Sequence, residues 1–142
     1  TAAMKFAMAR LSPPTLAQIA SEAALDTSAS YFSEVRDRYV ARRDALVRGL
    51  RAIPGVRVPQ PGGAFYAVCE LPIDHADAFC QWMLESFDLE GDTVMMAPAT
   101  GFYATPGAGA QQVRIAYVLD LPLIERAVEC LAEALKVYPG RT

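Results

Sequence analysis

A chain of 142 residues is long enough for one domain with a single real core, and 53% hydrophobic against 20% charged residues is a globular balance rather than a disordered or coiled-coil one. A formal net charge of −3, with no basic stripe, argues against nucleic acid or an anionic membrane as partner. No apolar run is long enough to span a bilayer, and the first residues do not follow the pattern of a secretion signal.

Residues 1–11 carry no cap or punctuation of their own and read as the continuation of something upstream. Ser12-Pro13-Pro14 then reads as an N-cap followed by prolines suited to a first helical turn. Leu16, Ile19, Ala20, Ala23 and Ala24 give that helix one apolar face, which runs to about Leu25. After the Asp26-Thr27-Ser28 break, a longer helix is predicted over residues 30–53, with Tyr31, Val35, Tyr39, Leu46, Leu50 and Ile53 on its inner face. Arg42, Arg43, Arg48 and Arg51 read as its solvated face, and Pro54-Gly55 stops it.

Two short strands are predicted at residues 56–58 and 64–71, with Pro59-Gln60-Pro61-Gly62-Gly63 as the turn between them. Asp74 can cap the next helix, where Phe79, Cys80, Met83, Leu84 and Phe87 recur at helical spacing. Gly91-Asp92 breaks it, and residues 93–97 read as a strand. Residues 98–112 form a loop with three glycines and two prolines, either a flexible lid or an ordinary surface connection. Residues 113–119 are the clearest buried strand; Asp120 can cap a final helix lined by Leu121, Ile124, Val128, Leu131 and Leu135. The order implies a two-layer α/β arrangement, a small sheet covered by helices mainly on one face. No internal repeat and no interdomain linker breaks residues 1–142, which read as one domain.

The residues available for chemistry are few. Cys69, Cys80 and Cys130 each sit in an apolar run, which predicts buried free thiols and suits a reducing cytoplasm. His75 stands at a helix start, and no Cys or His lies at metal-ligand spacing. Lys5 and Lys136 are the only lysines, and neither occupies the desolvated, rigid setting a Schiff-base lysine needs. Arg114 is the one charge in Val113-Arg114-Ile115-Ala116-Tyr117-Val118-Leu119. Strand alternation can point it to solvent or to an internal Asp or Glu; its planar fork equally suits a ligand carboxylate held by two parallel hydrogen bonds. Gly62-Gly63 entering a strand either admits a ligand close to the backbone or makes a tight turn. The glycines at 101, 107 and 109 match neither a phosphate loop nor a dinucleotide fingerprint.

Four segments, Ala9-Arg10-Leu11-Ser12-Pro13-Pro14-Thr15, Pro61-Gly62-Gly63-Ala64-Phe65-Tyr66, Met96-Ala97-Pro98 through Gly101-Phe102-Tyr103, and Val113-Arg114-Ile115-Ala116-Tyr117, occur in an order that resembles the C-terminal small domain of fold-type I, class I aminotransferases of the aspartate aminotransferase superfamily. The resemblance covers most of the chain, from about Arg10 to Leu135. It implies a pyridoxal 5′-phosphate (PLP)-dependent transfer of an amino group between an amino acid and a 2-oxo acid, with the cofactor as electron sink. It also implies that Arg114 grips the substrate α-carboxylate and that Phe65 and Gly63 line the substrate-side entrance. The family's Schiff-base lysine, the aspartate paired with the pyridine nitrogen and the phosphate-binding residues match no position here. The chain is therefore expected to be a fragment, inactive alone, whose partners are the large domain of the same protein and, at full length, a second copy. Pro98-Ala99 departs from the family's Pro-Gly, which leaves the loop's conformation open. Two rival readings are a free-standing α/β module that binds a carboxylate ligand to regulate a partner, and a purely structural or dimerisation domain.

Overall fold

The structure, a computed structural model, describes residues 1–9 and 12–142, apart from the side chain of Ala7. Arg10 and Leu11, which belong to the first of the four family-like segments, lie outside the described residues. The chain divides into two compact units, Thr1–Arg36 and Asp37–Thr142.

The first unit holds α1 (Ala2–Ala9), α2 (Thr15–Ala24) and the opening turns of α3 (Ala29–Ala52). Helix α1 was not expected, since residues 1–11 lack a cap; runs of Ala, Met and Lys favour a helix through propensity alone. In α2 the N-cap position is Pro14 rather than Ser12, and no side chain caps it. Met4, Phe6, Met8, Leu16, Ile19 and Leu25 are all exposed, as is Tyr31, which the helical spacing had placed on an inner face.

The second unit carries the core. From α3 it takes Ala45, Leu46, Val47 and Leu50, with Ile53 just beyond. Strand β1 (Tyr66–Glu70), α4 (Ala76–Glu85), β2 (Ala97–Pro98), β3 (Gln112–Ala116) and α5 (Leu121–Val137) follow. Among the described residues the strands form one sheet in the order β1-β3-β2, antiparallel throughout. Ala67, Cys69, Val113 and Ile115 on its inner side join Phe79 and Met83 of α4 and Ile124, Leu131 and Leu135 of α5 in a single hydrophobic cluster. The other face is open. This is the expected two-layer α/β fold.

Local differences have local causes. Residues 56–58 make only a single bridge, Arg57 with Glu70, reinforced by an ion pair between their side chains. The strand expected at 93–97 shrinks to Ala97–Pro98, because Thr93 turns its hydroxyl to the Met83 carbonyl (2.7 Å) and Pro98 has no N–H to extend an edge ladder. Strand β3 stops at Ala116: its partner begins at Tyr66, after Ala64 has left the extended region at φ +62°. Val118 and Leu119, past that end, are exposed. Leu84 and Leu121 are exposed as well, at the margins of their helices' apolar stripes. Helix α4 starts one step later than expected, with His75 at the N-cap position, while Asp74 accepts hydrogen bonds from the His75 backbone N–H (2.7 Å) and the Tyr138 hydroxyl (2.9 Å). Asp120 occupies the N-cap position of α5 without capping it; its carboxylate is taken by Arg42 at 2.5 Å, a charge-assisted bond stronger than a backbone cap. Arg42 is thus not part of a solvated face, and neither is Arg43, which pairs with Asp44 (2.8 Å) and reaches the Pro61 carbonyl (3.3 Å). Arg48 and Arg51 are exposed as read. The three cysteines are buried and free.

Candidate functional site

Alternation along β3 settles which way Arg114 faces. Val113 and Ile115 are buried, so Gln112, Arg114 and Ala116 point to the open side. Register places Glu70, Val68 and Tyr66 of β1 opposite those three, and Ala97 of β2 against Arg114 from the other edge. Among the described residues no carboxylate pairs with Arg114, which removes the reading as an internal ion pair. Two aromatic rings flank it instead. The guanidinium carbon lies 5.2 Å from the Tyr66 ring centroid and 5.1 Å from that of Phe102. Both distances are within the range of cation–π attraction, which leaves the in-plane N–H donors unused.

Phe65 stands next in this row. It is 52% exposed and meets Tyr66 edge-to-face with centroids 5.6 Å apart, so it reaches Arg114 through Tyr66 rather than directly. Gly63 is tied to the end of β3 by another route: the buried Tyr117 donates its hydroxyl hydrogen bond to the carbonyls of Gly63 (3.3 Å) and Ala64 (3.1 Å), and burial pushes that phenol's pKa up. A Cβ at Gly63 would meet nothing within 4 Å, so the backbone here borders open space.

The glycine-containing loop that carries Phe102 is fastened at several points. Ala99 donates its N–H to the Gln112 carbonyl (2.9 Å) and the Thr100 hydroxyl bonds Asp77 (2.7 Å). The Tyr103 hydroxyl donates to the Gln112 side-chain oxygen (2.6 Å), and the Ala110 carbonyl accepts from Ala76 N–H (2.6 Å). Ala99, where the family-like pattern would have glycine, is fully buried at φ −92°, ψ 0°, a conformation open to any residue. A short 3₁₀ turn, Thr100–Phe102, then presents the Phe102 ring to Arg114. Beside Arg114 on the same face, Arg57, Glu70, Tyr103 and Gln112 line a hollow of about 570 Å³.

Neither lysine lies in a desolvated pocket. Lys136 lies in the last turn of α5, exposed and paired with Glu133 at 2.6 Å, and Lys5 is exposed on α1. His75 is half exposed, its Nδ1 3.4 Å from Asp77. Among the described residues no three His, Cys, Asp or Glu side chains come together to hold a metal, and no helix is long and apolar enough to cross a membrane. Tyr66, Phe102 and Tyr117 were not singled out from the sequence. All three lie inside the family-like segments, but only the strand register and the loop's path bring Tyr66 and Phe102 to one guanidinium.

The family described as aminotransferase class I and II matches residues 1–131. An aspartate aminotransferase from Bacillus sp. (strain YM-2) is 32% identical over 130 residues, covering 87% of this chain and 31% of the relative. The aspartate/prephenate aminotransferase of Thermus thermophilus is also 32% identical over 130 residues, covering 87% of this chain and 30% of the relative. Among solved structures, alanine aminotransferase from Pyrococcus furiosus superposes with a TM-score of 0.75 at 26% identity, over 93% of this chain and 32% of that one. LysN, an α-aminoadipate aminotransferase from Thermus thermophilus solved with N-(5′-phosphopyridoxyl)-L-leucine, gives 0.61 at 30% identity, over 73% of this chain and 26% of that one. The chain spans about 30% of the length of the curated relatives it matches.

Proposed function

The chain belongs to the class I and II aminotransferases, and from that premise we propose that it is the small domain of a longer PLP-dependent enzyme, in which Arg114 holds the α-carboxylate of the substrate. The observation that carries this reading is a guanidinium on an open sheet face, paired with no anion among the described residues and flanked by two rings. A carboxylate matches that planar fork with two parallel hydrogen bonds, and every α-amino acid and 2-oxo acid presents one. Gripping the shared group lets one site serve both halves of an exchange, while side-chain selectivity is set elsewhere.

PLP is held by other parts of the polypeptide, since neither lysine of this chain suits it. The donor is aspartate or a related amino acid, in keeping with the relatives' names, and the acceptor a 2-oxo acid. Phe65 and Gly63 border the entrance to the site. At full length the protein pairs with a second copy, and the three free, buried thiols suit a cytoplasmic setting. The test is direct: the full-length protein, supplied with PLP, aspartate and 2-oxoglutarate, should yield oxaloacetate and glutamate. Absence of exchange with aspartate and with every other α-amino acid tried would overturn the proposal.

A further inference from the structure

We infer that Tyr66 and Phe102 are positioning residues, which hold the Arg114 side chain ready for a carboxylate without occupying the donors that bind it. The inference rests on the reading of Arg114 as the carboxylate-binding group.

An arginine on an exposed strand face is ordinarily free to sample many rotamers, and binding then has to freeze them. A carboxylate partner within the protein would order the side chain, but it would sit in the plane of the fork and compete with the ligand. A ring attracts the cation through its quadrupole and asks for no N–H. The Tyr66 and Phe102 centroids lie 5.2 and 5.1 Å from the guanidinium carbon, so both rings contribute at similar range. The two rings come from different parts of the chain. Tyr66 is set by the β1–β3 register, one pair away from the Val68–Arg114 pair on the same face when counted by alternation, and it is backed by Phe65 edge-on at 5.6 Å. Phe102 is set by the 3₁₀ turn that the Ala99 and Thr100 hydrogen bonds anchor. Both are exposed aromatics, and Arg114 gives each a partner that a bare surface ring would lack.

The experiment uses the 142-residue chain, with Arg114 Nε–Hε and δ-proton resonances as the readout and sodium acetate as the probe. In the wild type, ring currents should shift the Arg114 δ protons upfield, and acetate should move the Nε–Hε signal saturably. Phe102→Leu and Tyr66→Leu should each reduce the ring-current shift, leaving the other ring's share, and weaken acetate binding by about two- to five-fold, the size expected of an exposed cation–π contact. Phe102→Tyr, which restores the π face, should recover both. If the leucine variants bind acetate as tightly as the wild type while Arg114→Lys loses the response, the positioning role falls and the reading of Arg114 stands. If acetate leaves the wild-type Arg114 signal unmoved, both fall. Should Tyr66→Leu disturb the sheet, the loop variant Phe102→Leu, checked by an unchanged backbone amide spectrum, decides the question alone.

Discussion

Gly107 and Gly109 impose the same backbone cost on any replacement but offer a new side chain very different surroundings. Their φ angles are +79° and +77°, both in the left-handed region. A Cβ at 107 meets nothing within 4 Å, whereas at 109 it would lie 2.7 Å from two carbons of the Tyr103 ring and 2.8 Å from the Ala99 carbonyl oxygen. Alanine at 107 should therefore lose only the backbone term, about 1 kcal/mol. Alanine at 109 adds overpacking, about 1–3 kcal/mol, for a total of roughly 2–4 kcal/mol. At about 2–4 °C per kcal/mol for a chain near this length, the two melting temperatures should still separate by several degrees. Urea unfolding of the wild type and both variants measures the difference. Because Tyr103 and Ala99 both bond Gln112, Gly109→Ala should also disturb the Phe102–Arg114 contact, visible as a change in the Arg114 δ-proton shift. Equal destabilisation by the two substitutions would refute the claim that the Tyr103 ring sits on Gly109 and holds the loop.

Gly49→Ala gains about 1 kcal/mol of helix propensity but places its Cβ 2.8 Å from Val128 Cγ1, so it should be net destabilising, and Val128→Ala should rescue it in a double-mutant cycle. Burial pushes the thiols of Cys69 and Cys80 up to about 12 and about 11, so all three cysteines should resist a thiol-specific disulfide reagent at pH 8 until the chain is unfolded. Burial and the Asp74 bond likewise raise Tyr138 to about 12. These groups stay protonated in the folded chain while the unfolded chain releases protons, so stability should be intact below about pH 9 and fall as pH climbs toward 12, measured by urea midpoints across that range. Mixing the isolated chain with PLP and then borohydride should leave no stoichiometric reduced adduct at Lys5 or Lys136, as judged by mass spectrometry.

The helices from α2 onward were legible because their apolar positions recur at helical spacing and proline or glycine punctuates them. Helix α1 was not, since Ala and Met form helices through propensity without marking where one starts. Strand ends escaped for a different reason. A ladder stops where its partner stops, and the turn at Ala64 that ends β3's pairing lies far away in the sequence. Asp120 looks like a cap until Arg42 arrives from α3 to take it. The site divides along the same line. Arg114 is conspicuous as a lone charge in an apolar strand, and alternation alone gives it an exposed alternative. Its ring partners are invisible to local pattern, because one is supplied by strand register and the other by a loop.

The most direct measurement is the rate of amino-group uptake from an amino acid and from its decarboxylated amine by the full-length protein and its Arg114→Lys variant. Lysine keeps the charge but loses the second parallel hydrogen bond and the planar fork. Breaking a desolvated pair of this kind costs about 2–5 kcal/mol, so the amino acid should react some tens- to thousands-fold more slowly in the variant. The amine offers Arg114 no carboxylate and should react at nearly the wild-type rate. Equal losses for the two substrates, or no loss for either, would contradict the assignment of Arg114 as the carboxylate grip.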